Sequence, residues 1–243
     1  MLRRFGNLLL PEPRRRSSVS YLRGIAAIYW KDVLLEFRTR QSIGTMLVFC
    51  LTIVVIFNFV FEPGSEAVRE VAPGILWSSF AFAGILGINR SFSFEIDRGG
   101  LQGLLLCPVE RSTIYFAKVL GNLTLMLLVE LVTLPIFAIL YNLPTQINLP
   151  GLALALVLGT LGFAAVGSLL SALSANTRAR EILLPVLLFP VSVPVLIAMV
   201  KSTGPLLAGR PFGEVAGWLR LLLGFDLLFL AISSIMFPYV VEE

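Results

Sequence analysis

The chain has 243 residues, 57% apolar and only 14% charged, with 19 Lys and Arg against 15 Asp and Glu. A soluble domain carries about a quarter charged residues, so this composition points to the bilayer as solvent and to one membrane domain, with no room for a separate soluble catalytic domain. Histidine is absent, which excludes imidazole metal sites, the HExxH zincin motif and a Ser-His-Asp triad.

Residues 1–19 read as a disordered basic tail. Arg3 and Arg4 precede Leu8, Leu9 and Leu10, but that apolar piece is too short for a signal segment and Pro11 and Pro13 end it. Over residues 20–41, Leu22, Ile25, Ala26, Tyr29, Val33 and Phe37 recur at helical spacing, with Arg23, Lys31, Asp32, Glu36, Arg38 and Arg40 between them. This predicts an amphipathic helix in the cytoplasmic interface, with Trp30 where an amphipathic ring is comfortable. It can serve as a lipid anchor or as a contact surface for a soluble partner.

About 20 apolar residues in a helix cross a hydrocarbon core of about 30 Å. Six stretches qualify: Ile43 to Phe61, Ala72 to Asn89, Tyr115 to Tyr141, Leu149 to Ala175, Ile182 to Val200 and Trp218 to Tyr239. In lipid every backbone polar group needs an internal partner, and the alternating segments of a barrel are missing, so the expected class is an all-α integral membrane protein with six spans. Cys50 in the first span and Cys107 in a later loop lack C-x-x-C spacing, so neither a redox motif nor a metal knuckle is indicated.

Between spans two and three lies a loop with Glu95, Asp97, Arg98, Gly99, Gly100, Leu101, Gly103, Leu104, Leu105, Leu106, Cys107 and Pro108, then Arg111 and Lys118. An acidic start, a Gly pair and a leucine run ended by Pro predict a short helix across the membrane surface. Its charged end can meet a partner, or the segment is an ordinary interfacial connector.

Within the third and sixth spans sit Glu130 and Asp226. Intramembrane carboxyls are costly and face a protein interior or a cavity. They read as a gating pair, a proton site or a partner contact, or as protonated groups bonded to nearby hydroxyls such as Thr133 and Ser233. Gly159, Gly162 and Gly167 offer a smooth packing face in the fourth span. Pro185, Pro190 and Pro194 are expected to bend the fifth. The segment from Lys201 to Gly217, with Pro205, Gly209 and Pro211, reads as an irregular outer loop or a short interfacial helix.

Numbered from an N-terminus inside, fifteen of the 19 Lys and Arg fall on the inner side, and only Arg69, Lys201, Arg210 and Arg220 on the outer. Positive charge near span ends stays cytoplasmic, so both termini are expected inside. The basic balance is then a topology signal, and no basic patch interleaved with aromatics speaks for nucleic acid.

The loop pattern of Glu95, Asp97 to Leu101, Leu104, Leu105, Pro108, Arg111 and Lys118 resembles the cytoplasmic loop of ABC-2 type ABC transporter permeases. Ala72 to Trp77, Leu158 to Phe163, and Arg178 leading into Ile182 to Pro190 and Pro194 narrow the likeness. Together the blocks look like the CcmB family, permeases of the cytochrome c maturation ABC transporter, over about Leu22 to Tyr239. The resemblance implies a multi-pass subunit of a bacterial inner membrane that works with a CcmA-like ATPase, a CcmC-like haem-handling protein, a CcmD-like small subunit and a CcmE-like haem chaperone, whose haem-loaded form the machine releases.

No G-x-x-x-x-G-K-[ST] occurs, so ATP is expected to be hydrolysed by the partner, and the chain itself is expected not to be an enzyme. Without histidine or C-x-x-C-H, haem ligation is expected to belong to partner subunits and no cofactor to this chain. The alternatives are a non-transporting scaffold for haem-handling subunits, or an ABC-2 type exporter of another substrate. A membrane-embedded enzyme would need clustered Asp, His, or Ser with Lys, and no such cluster occurs.

Overall fold

A computed structural model of the chain describes residues 18–62, 64–97, 100–107, 109–143, 146–175, 177 and 179–241. Most of the expected basic tail, and Arg98, Gly99 and Pro108 of the loop motif, lie outside the described residues. Those residues form eight α-helices: α1 (Ser18–Thr39), α2 (Gln41–Val60), α3 (Glu66–Asp97), α4 (Gly100–Leu106), α5 (Arg111–Leu140), α6 (Leu149–Ala175), α7 (Arg180–Leu207) and α8 (Phe212–Val240). Among them, α2, α3, α5, α6, α7 and α8 are long and apolar enough to cross a membrane.

Helices α3 and α6 are the most buried of the six, and α2, α5, α7 and α8 pack around them. Small residues explain how α6 reaches the centre. Met199 of α7 and Trp77 of α3 close over Gly159, and Ile88 of α3 closes over Gly167, leaving no space for a side chain at either position. The outward faces of α2, α5 and α8 carry exposed Phe59, Leu131, Ile139 and Leu227, as a lipid-facing surface requires.

Polar bonds mark two ends of the bundle. At one, the indole of Trp77 donates to Thr203 Oγ1 at 2.9 Å, Asn58 Nδ2 to the Leu140 carbonyl at 2.8 Å, and Asn148 Nδ2 to the Arg210 carbonyl at 3.0 Å. At the other, Arg111 Nη1 of α5 donates to the Pro238 carbonyl near the end of α8 at 3.3 Å. The start of α2 and the end of α8 therefore share one end, as six alternating spans demand.

The helix boundaries differ most from expectation in two places. Helix α3 runs on past Asn89 to Asp97, because Phe92 is buried in a second apolar cluster with Ile28, Ile114 and Tyr115 while Glu95 finds cationic partners. The segment from Lys201 to Gly217 is mostly helix, with only residues 208–211 outside α7 and α8. Pro205 does not break α7, and Leu206 and Leu207 behind it are buried. Pro185, Pro190 and Pro194 likewise lie within the continuous helix α7.

Candidate functional site

Helix α1 lies against α5, bolted by bonds between Tyr21 and Ser112 and between Tyr29 and Thr124, both 3.2 Å. This turns Asp32 toward Lys118, one helical turn inside the apolar run of α5. Lys118 is 2% exposed and its ammonium meets two carboxylates, Glu95 Oε2 from the end of α3 and Asp32 Oδ2 at 2.9 Å. Lys31 closes the circuit from the rim, at 2.6 Å from Glu95 Oε1 and 3.1 Å from Asp32 Oδ1. The ring of Phe92 sits 5.7 Å from the Lys118 ammonium. Two cations and two anions thus join α1, α3 and α5 at one point. Breaking a buried pair on one side only costs about 3–5 kcal/mol, since the other charge stays buried without an answer.

Burial pushes the Glu95 pKa up, but the Lys118 ammonium and the bonds from Lys118 and Lys31 outweigh it and hold the carboxyl below its usual range. For Lys31, partial burial acts to lower the pKa. The bond to Glu95 and the charge of Asp32 overcome it, and the value is raised.

At the next turn of α1, Glu36 Oε1 accepts the amides of Ser42 at 2.7 Å and Ile43 at 2.9 Å. The carboxylate answers donors that the first turn of α2 leaves unpaired, and its charge suits that end of the helix dipole. Arg40 makes the corner with φ 51°. Arg90 of α3 donates to Gln41 Oε1, fixing the start of α2 to the same end of the bundle. Asp32, Glu36, Arg90, Glu95 and Lys118 line a cleft between α1, α2, α3 and α5.

The short helix α4 begins at this network. A side chain at Gly100 would press on Glu95, whose Oε1 lies 3.0 Å from the position a Cβ would take. Leu104 of α4 packs against the cluster of Phe92, Ile28 and Ile114. Asp97 ends α3, and Leu101 and Leu105 lie in α4. Of the expected interfacial residues, Lys31, Asp32 and Glu36 turn to the network or to α2, whereas Trp30 is 60% exposed and Arg38 is exposed.

The intramembrane acids have other surroundings than expected. Glu130 accepts a bond from Thr160 of α6 at 2.7 Å, not from Thr133, because its carboxyl reaches across to the neighbouring helix. Asp226 lies against Gly162 of α6, and its carboxyl oxygens have no hydrogen-bond partner among the described residues. Ser233, two turns along α8, gives it no bond.

Residues 23–243 match the family described as CcmB protein. The chain belongs to the CcmB family. It is 30% identical to heme exporter protein B of Rhodobacter capsulatus over 171 residues, 70% of this chain and 78% of that protein. Against heme exporter protein B of Pseudomonas aeruginosa it is 27% identical over 189 residues, 78% and 84% of the two chains. The protein of the same name from Paracoccus denitrificans is 28% identical over 171 residues, 70% and 78%. With six helices able to span, this CcmB-family chain is a multi-pass membrane protein. The charged network falls wholly within the matched residues.

Lys118 reads in the sequence as the last residue of the loop motif and not as the centre of a charged network, although a lone lysine in an otherwise apolar run is itself a signal that carboxylates must meet it. Arg90 and Gly121, which shape the cleft, carried no comparable mark.

Proposed function

We propose that the chain is the membrane permease subunit of an ATP-driven complex in cytochrome c maturation, in which a CcmA-like ATPase docks on the end of the bundle that carries α1 and α4. Membership of the CcmB family and the likeness to proteins named heme exporter protein B support the haem-handling context. The single observation that carries the coupling reading is the close approach of Gly100, at the start of α4, to Glu95. Force on α4 then enters the Glu95–Lys118–Asp32–Lys31 network directly.

On this reading the ATPase dimer closes and pushes α4. The ion network prevents α4 from simply sliding, so α1, α3 and α5 move as one body. Helix α3 runs through the centre and bonds α7 at the far end through Trp77 and Thr203, which carries the displacement across the membrane. The network end faces the cytoplasm, in keeping with the excess of Lys and Arg there. Haem ligation stays with CcmC-like and CcmE-like partners, a CcmD-like subunit joins the assembly, and the complex releases the haem-loaded chaperone.

Depleting the chain from its native host tests this. Mature c-type cytochromes should fall and the haem-loaded chaperone should accumulate in the membrane. Unchanged cytochrome maturation would reject the reading.

A further inference from the structure

The cleft beside the ion network holds two polar groups that the protein does not use up. Glu36 accepts both α2 amides at Oε1, which leaves Oε2 without a partner among the described residues. Arg90 spends one Nη2 contact on Gln41, and its remaining N–H groups have no partner among the described residues. A carboxylate oxygen and a guanidinium therefore line one cleft. The cleft is open at Gly121, which lines it with them. A Cβ built on Gly121 meets only Asp32 Cβ, at 4.0 Å.

The depth of the cleft selects the occupant. It lies where α2 begins and where the last cation of α5 meets the apolar run, which is the headgroup level of a bilayer. Leu34 and Phe37 of α1 and Val48 and Phe49 of α2 are exposed on the helices that border it, so acyl chains have apolar surface to follow. We propose that this cleft is a binding site for the headgroup of an amine-bearing phospholipid, phosphatidylethanolamine, with the phosphate on Arg90 and the primary ammonium on Glu36 Oε2. The pairing needs both signs. An ethanolamine ammonium donates N–H bonds to the carboxylate, whereas a choline headgroup of nearly the same shape has no N–H to give. An anionic headgroup without an amine leaves Glu36 unanswered beside a phosphate.

The full chain, purified with whatever subunits accompany it, is stripped of lipid and offered phosphatidylethanolamine, phosphatidylcholine or phosphatidylglycerol with identical acyl chains. Retained lipid is counted by native mass spectrometry and affinity is read from the shift in unfolding midpoint. One phosphatidylethanolamine per chain is expected, held about tenfold more tightly than phosphatidylcholine, the difference one charge-assisted hydrogen bond makes. Arg90→Gln and Gly121→Leu should each reduce its affinity about tenfold, the second by filling the cleft with no change of charge. Should Gly121→Leu fail to fold, Arg90→Gln, on a partly exposed side chain, carries the test alone. Equal retention of the ethanolamine and choline lipids, preference for phosphatidylglycerol, or wild-type affinity in the folded variants would overturn the proposal. Soluble phosphoethanolamine binding as tightly as the lipid would assign the cleft to a free phosphate ester and overturn the lipid source.

Discussion

The Lys118 ammonium is buried between Glu95 and Asp32, which come to it from two other helices. Lys118→Met removes that answer and leaves two carboxylates with Lys31 alone, which is half exposed and screened by water. The variant should lose about 3–5 kcal/mol of stability, read as a lower unfolding midpoint in detergent. Replacing Glu95 by Gln in the same chain should recover part of the loss, since one of the orphaned charges is then gone. The pKa shifts set a pH window. Glu95 has a folded pKa below its ordinary 4.5, so its contribution is complete above that value and is lost as pH falls through the depressed one. Lys31, raised above 10.5, contributes fully below that value and loses its part as pH rises through the raised one. Hydrogen exchange of α1 amides should therefore accelerate at acid pH relative to α6, and Glu95→Gln should flatten that acid limb. Residue identity made Glu95, Asp32 and Lys31 visible in the sequence as charges beside the membrane. Their convergence was not, because it depends on how α1 lies along α5, which helical spacing within α1 alone does not determine.

Elements were legible where composition decides them. Six apolar runs became six helices, since lipid permits little else. Helix ends were less so, and for a physical reason. Glu95 reads as loop, yet it sits at the end of helix α3, where the buried Lys118 meets it. Pro205 reads as a breaker, yet α7 carries through it to Leu207. The turn from α7 to α8 rests on Gly209, at φ 73°, with the Gln146 carbonyl oxygen 2.1 Å from where a Cβ would be. Gly209→Ala should lower stability by at least about 1–2 kcal/mol, through left-handed strain and a clash with backbone that cannot yield. Unfolding midpoints of the variant and wild type check this. Asp226→Asn, by contrast, keeps the shape against Gly162 and breaks no hydrogen bond, so its midpoint should stay within about 1 kcal/mol of wild type. If cytochrome maturation nevertheless fails in that variant, the carboxyl has a functional role.

At the scale of the whole molecule, α1, α4 and the ion network occupy one end, the Trp77–Thr203 and Asn148–Arg210 bonds the other, and α3 and α6 run between them. A push at α4 has a short path into α3 through Gly100 and Glu95, which is why coupling to an external ATPase is the central claim. The family was legible from its sequence blocks, but this mechanical path was not, since nothing in the loop motif says that Glu95 turns inward. The most direct test is affinity purification of the tagged chain from its native membrane, wild type beside an Asp97→Lys, Arg98→Glu variant, with partners identified and ATPase activity measured. The account predicts that an ATPase and a haem-binding membrane protein accompany the wild type, and that the variant loses most of the ATPase. Recovery of the chain without an ATPase, or with one that is indifferent to the loop charges, would contradict it.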